Sequence, residues 1–78
     1  MNKPKVKIYT TNSCPYCQLA KDFLRERGIK FDEINVEFDQ KAASEMIEKS
    51  GQMGVPVIDI NGTIIIGFDR EAILRALK

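Results

Sequence analysis

The apolar positions of this chain change their period along its length, and each change marks an element. Val6, Ile8 and Thr10 alternate with Lys7 and Tyr9, and β-branched residues dominate, so a strand is expected at about 5–10. Leu19, Ala20, Phe23, Leu24 and Arg27 then recur at helical spacing. Cys14 falls at the N-cap of that helix and Pro15 at its first position, where a missing N–H costs nothing. Gly28 is a natural stop, so the pattern predicts a helix over 15–27. Phe31 to Val36 reads as a second strand, and a strand–helix–strand unit of this length favours a parallel pair with a right-handed crossover.

Asp39 is placed to cap a second helix that carries Ala43, Met46, Ile47 and Ser50 and ends at Gly51. Its other face, with Lys41, Glu45, Glu48 and Lys49, is expected to be solvated. Val55 to Ile60 begins a third strand, and Asn61-Gly62 is a strong signal for a tight hairpin. Thr63 to Ile66 returns antiparallel as a fourth. Phe68, Asp69 and Ile73 fit a hydrophobic staple opening a last helix at about 70–77. The order is βαβ–α–ββα: an α/β chain with one mixed, four-stranded sheet and three helices.

Seventy-eight residues leave room for one core, so a single domain over 1–78 is expected, with no repeat or linker. A hydrophobic content of 44% argues against disorder. Twelve basic against eleven acidic side chains give no reason to expect a nucleic acid or an acidic membrane as partner. No cleavable-looking apolar segment opens the chain, and Ile64-Ile65-Ile66 is far short of a membrane span. The expected compartment is the cytoplasm, where disulfides are mostly transient and catalytic.

Chemistry concentrates at Cys14-Pro15-Tyr16-Cys17. These are the only cysteines, they lie three apart, and a strand precedes and a helix follows them, which reads as a thioredoxin-like redox motif. The attacking species is a thiolate, and an ordinary cysteine is only about 3% ionised at pH 7. Lowering the Cys14 pKa to about 6 takes roughly 3.4 kcal/mol. The helix dipole supplies about 0.5–2 kcal/mol, and N–H groups of the first turn aimed at the sulfur supply the rest. No histidine is present to pair with the thiol. Cys17, one turn further in and on the same face, lacks those free N–H groups. Cys14 is therefore the expected nucleophile and Cys17 the resolving thiol.

Two other uses of the pair remain open: inert structural cysteines, or a metal site. Zinc or an iron–sulfur cluster wants about four protein ligands and the chain offers two cysteines. A cluster would need a dimer bridging it through Cys14 of each chain and two outside thiols. Pro15 and Tyr16 leave less room for that than smaller residues would. No metal, no bound cofactor and a monomer are the expectation.

The residues resemble the glutaredoxin family, within the thioredoxin fold, over essentially the whole chain. C-P-Y-C at 14–17 is similar to that family's active-site motif, and V-K-I-Y-T at 6–10 to its first strand. S-G-x-x-x-V-P at 50–56 resembles the segment carrying its cis-proline, and I-G-F-D at 66–69 its G-G-x-D element. The I-N-V at 34–36 and G-F at 67–68 are similar to the small redoxins that feed ribonucleotide reductase and draw electrons from thioredoxin reductase.

The resemblance implies a disulfide oxidoreductase acting on protein disulfides or glutathione mixed disulfides. It places the substrate thiol against the backbone of Val55, before a cis Pro56, and brings glutathione's amino group to Asp69. Gly67 and Phe68 would form an apolar docking patch, or Phe68 a core staple. The chain departs from glutathione-using members at Thr11, where many carry Lys, and at Gln52, where some carry Arg. Gly54 replaces a Thr and Ile66 a Gly. The implied electron source is glutathione, or NADPH through thioredoxin reductase, with ribonucleotide reductase among the partners. Tyr16 either shapes access to Cys14 or is a plain exposed aromatic. Met46 and Met53 are read as packing residues, and Asp59 as half-exposed near the hairpin.

Overall fold

A computed structural model of the chain describes residues 5–77; the first four residues of the polar lead-in, and Lys78, lie outside it. The elements are β1 (Val6–Thr10), α1 (Pro15–Glu26), β2 (Asp32–Asn35), α2 (Gln40–Ser50), β3 (Val57–Ile60), β4 (Thr63–Ile66) and α3 (Arg70–Leu77). The sheet order is β2-β1-β3-β4, with β1 parallel to β2 and antiparallel to β3, and β4 antiparallel to β3. This is the mixed sheet and element order that the periodicity predicts.

The sheet is covered on both faces. Val6, Ile8, Ile58, Ile60 and Ile65 pack with Ala20 and Leu24 of α1 and Ile73 of α3. On the other side Tyr9 and Val57 pack with Met46 of α2. Because strand side chains alternate, β1 buries Ile8 and Tyr9 alike, one to each layer.

Asn61 and Gly62 both take positive φ, 52° and 93°, as the tight β3–β4 turn requires. β3 opens at Val57 and not at Val55, because Pro56, joined to Val55 by a cis peptide bond, has no N–H to give a ladder. Helix α1 closes at Glu26, with Arg27 as its C-cap, exposed and lying 4.5 Å over the Phe23 ring.

Helix α2 differs most from its expected faces. Its buried stripe is Ala42 and Met46, while Ile47 is half exposed. Glu45 and Lys49 are not solvent-only charges. The Tyr9 hydroxyl donates to Glu45 at 3.0 Å, and the Lys49 ammonium donates to Tyr9 Oη at 3.0 Å and to Asp59 Oδ2 at 3.1 Å. Asp59 Oδ1 accepts the Gly62 N–H at 2.8 Å, so this carboxylate ties α2 to the hairpin. Burial raises the Tyr9 pKa, and the hydrogen bonds to Tyr9 and then Asp59 raise that of Lys49.

Met53 also departs from expectation. It is 77% exposed and packs on nothing in either core layer.

Candidate functional site

The strand order carries β1 and β4 out, and β3 in, at one end of the sheet. Tyr9 lies opposite Val57, so the chain leaving β1 towards Cys14 runs beside the chain entering β3 through Pro56. Ile66 also lies opposite Val57, which brings Gly67 to the same place. The Gly67 N–H donates to the Pro56 carbonyl at 2.8 Å, at a φ of 80° that favours glycine. The two segments read from sequence as substrate-facing backbone are thus physically joined.

The β1–α1 loop is fastened from the side. The Asn12 N–H and Nδ2 both donate to the Glu37 carboxylate at 3.2 Å, and Asn35 Nδ2 donates to Asn12 Oδ1 at 2.6 Å. Asn35 Oδ1 in turn accepts the Glu37 N–H at 2.9 Å. This brace holds Ser13 and Cys14 at the head of α1.

Cys14 is the N-cap of α1, in an extended backbone conformation, and its Sγ accepts the Cys17 N–H at 3.2 Å. Thiol sulfur thus does what a Ser or Asp oxygen does at other helix starts, which favours the charged form of that sulfur. Pro15 occupies the first turn. The sulfurs of Cys14 and Cys17 are joined as a disulfide, with Cα atoms 5.2 Å apart. Their surroundings are unequal: Cys17 is 1% exposed, on the buried face of α1, while Cys14 is half-buried. Tyr16 points outward, 63% exposed.

The other expected residues fall as follows. Thr11 is half-buried and lines one shallow cavity with Cys14, Pro15, Gln18 and Lys21. Val55 is half-buried and Pro56 buried. Asp69 Oδ1 accepts the Ala72 N–H at 3.1 Å and caps α3, and its second oxygen has no partner among the described residues. Phe68 meets Phe23 edge to face at 5.8 Å and packs against the α1/α3 core layer, so the staple describes it better than the docking patch.

Two residues outside the expected set, Asn12 and Lys21, border the site, and Gln52, expected only as a departure from the glutathione-using pattern, takes a defined place. Asn12 braces the loop. Lys21 reaches from the cavity floor to Glu33 at 2.8 Å. Gln52 brackets the backbone of Gly54: Oε1 accepts its N–H at 2.7 Å and Nε2 donates to its carbonyl at 2.9 Å. The sequence signal for Gln52 was its pairing with a glycine two residues on. Among the described residues, no group of three or more His, Cys, Asp or Glu is arranged to hold a metal ion.

A mixed four-stranded sheet with three helices and a cysteine pair at the tip of α1 defines a thioredoxin-like redox protein. The profile of the family described as Glutaredoxin matches residues 6–65. The chain belongs to the glutaredoxin family. It is 46% identical over 73 residues to an uncharacterised glutaredoxin-like 8.6 kDa protein of the Clostridium pasteurianum rubredoxin operon, covering 94% of this chain and 97% of that one. It is 41% identical over 64 residues to glutaredoxin 3 of Escherichia coli, covering 82% and 77%. Among solved structures it is similar to the glutaredoxin-like NrdH-redoxin of Escherichia coli, with a TM-score of 0.80, 31% identity, and coverage of 91% and 92%.

Proposed function

We propose that this protein is a dithiol oxidoreductase that reduces disulfides of other proteins in the cytoplasm, and that a thioredoxin-reductase-type flavoenzyme returns its electrons from NADPH. The observation that carries the thiol chemistry is the Cys17 N–H bonded to Cys14 Sγ at a helix start, with Cys17 itself buried.

In the reduced protein, the Cys14 thiolate attacks one sulfur of a substrate disulfide. The Cys14–substrate bond forms, the substrate S–S bond breaks, and the departing thiolate takes up a proton. Cys17 then gives up its proton and attacks Cys14 Sγ, releasing the second substrate thiol. The products are a reduced substrate and the Cys14–Cys17 disulfide seen here. Two electrons from the reductase restore the dithiol. Val55, half-buried and joined to Pro56 by the cis bond, offers backbone against which a substrate segment lies like an added strand. The pinned turn at Gly67, with Phe68 and Asp69 behind it, borders that strip.

Three observations favour a flavoenzyme over glutathione as reductant. Thr11 brings no cation to the cavity beside Cys14, and Lys21, which does line it, is held in an ion pair by Glu33. The Gln52 amide is committed to Gly54, so it is not free to meet a tripeptide carboxylate. Tyr16, Phe38, Met53 and Ile66, four of the six exposed large hydrophobic residues, lie in or beside the segments at the Cys14 end, a surface suited to a protein partner. The similar Escherichia coli NrdH-redoxin is described as having a thioredoxin-like activity profile. By the same analogy, ribonucleotide reductase is the first protein disulfide to test.

The test compares NADPH oxidation during disulfide turnover with thioredoxin reductase against that with glutathione plus glutathione reductase. Faster turnover with thioredoxin reductase is expected, and the reverse order would assign glutathione. Full activity after Cys14→Ser would remove the nucleophile assignment. Visible absorbance and dimer formation after anaerobic reconstitution with iron and sulfide would favour the cluster-bridging dimer instead.

A further inference from the structure

Among the described residues, Lys21 is the one cation lining the cavity that Cys14 opens onto. It sits seven residues after Cys14 and four after Cys17, on the same side of α1. Side chains on a helix lean towards its N-terminus, so a lysine here covers the turn that carries the sulfurs. Its side chain is 14% exposed and is held by a 2.8 Å ion pair to Glu33 of β2. Glu33 also accepts the hydroxyl of Thr10, a fully buried residue, at 3.1 Å. Glu33 does not line the Cys14 cavity, so the pair is oriented with its positive end towards the sulfur. The bond to Lys21 lowers the Glu33 pKa, so this carboxylate is ionised at neutral pH.

We infer that Lys21 is a positioning charge for Cys14, favouring its thiolate through space, and that Glu33, anchored by Thr10, restrains that charge and sets its strength. This deepens the oxidoreductase reading above and rests on it. The other charged groups on neighbouring segments are accounted for locally. Asp22 accepts from Gln18 at 3.0 Å, Glu37 is bonded to Asn12, and Asp69 caps α3. Lys21 therefore supplies a contribution to thiolate stability that the helix start alone does not.

The readout is the pH midpoint of Cys14 alkylation by iodoacetamide in the fully reduced protein, with the modified residue assigned by peptide mass. Lys21→Met removes the cation and leaves the carboxylate, so the midpoint rises by about half a unit or more. Glu33→Gln frees the cation, so the midpoint falls by a similar amount. Lys21→Arg keeps the wild-type midpoint to within about 0.2 unit.

Opposite signs separate this role from a structural one. Both variants lose the same ion pair, so loosening of α1 moves both midpoints in the same direction. Two shifts of the same sign, or none, against a depressed wild-type midpoint would overturn the inference and leave the oxidoreductase reading intact. A wild-type midpoint near the ordinary value of about 8.5 would overturn both.

Discussion

Gln52 and Gly54 fit each other as a clasp. Both amide atoms of the Gln52 side chain bond the backbone of Gly54, and a Cβ built at 54 would lie 2.8 Å from Gln52 Oε1. A Thr at 54 and this Gln52 conformation exclude one another. The two departures from the glutathione-using pattern are therefore one feature.

Gly54→Ala displaces the Gln52 amide and loses two exposed hydrogen bonds, a cost of about 1 kcal/mol. In a Gln52→Ala background the same change is nearly neutral. A double-mutant cycle in urea measures the coupling; strict additivity would show that the clasp contributes nothing.

Replacing the clasp with the alternative pair, Gln52→Arg with Gly54→Thr, frees a cation at the mouth of the cis-Pro segment. Glutathione-linked turnover is expected to rise by about tenfold relative to thioredoxin-reductase-linked turnover. An unchanged ratio would place the choice of reductant elsewhere, at Thr11 or on the apolar rim.

Tyr9→Phe removes the hydroxyl that donates to Glu45 and accepts from Lys49, at a cost of about 1 kcal/mol in urea unfolding at neutral pH. The pH dependence follows from the directions. Tyr9 and Lys49 both have folded pKa values above their ordinary values of 10.0 and 10.5. Their contribution is whole below about pH 10 and is lost as pH rises towards the folded values. The alkaline fall in stability should be shallower in Tyr9→Phe.

Glu33 behaves oppositely. Its folded pKa lies below 4.5, chiefly because of the bond to Lys21. The contribution is present above 4.5 and declines as pH falls through the folded value. Thermal melts of Glu33→Gln between pH 3 and 6 should lose part of the wild-type slope.

Leu24 and Ile58 are fully buried in the layer between the sheet and α1. Truncating either to Ala costs about 2–5 kcal/mol, while a domain this small holds roughly 3–5 in reserve. Leu24→Ala should have a sharply lower urea midpoint or no folded baseline. A change below about 0.5 kcal/mol would contradict the packing described.

The strands, the hairpin and the capped helix starts were legible because each is written locally. Asn61-Gly62 demands its turn, and Asp39 bonds the N–H three residues on. The phase of α2 was not. Ala42 and Ala43, then Met46 and Ile47, form two apolar stripes about 100° apart, and periodicity alone allows either. The sheet decides, because Tyr9 and Asp59 offer polar partners to Glu45 and Lys49 only when Ala42 and Met46 face inward.

Within the site, the cysteines were singled out by spacing and Pro56 and Gly67 by the family resemblance, and the fold brings their segments to one end of the sheet. Asn12 and Lys21 were not singled out, since each acts by bridging to another segment, and the clasp is local but depends on a side-chain conformation that spacing does not give. Asn12 to Glu37 spans 25 positions and Lys21 to Glu33 spans 12, distances over which sequence spacing carries no geometry.

Cys17 belongs to the chemistry and to the interior at once. It shares the inward stripe of α1 with Ala20 and Leu24, so the sulfur that we propose closes each cycle is also wall material. Oxidants and alkylators in solution meet Cys14 first, and Cys17 is sheltered from the same reagents. The interior also fixes where that second sulfur waits. Core substitutions are therefore redox substitutions too, and any drift in how α1 seats on the sheet appears as a change in how long a mixed disulfide survives.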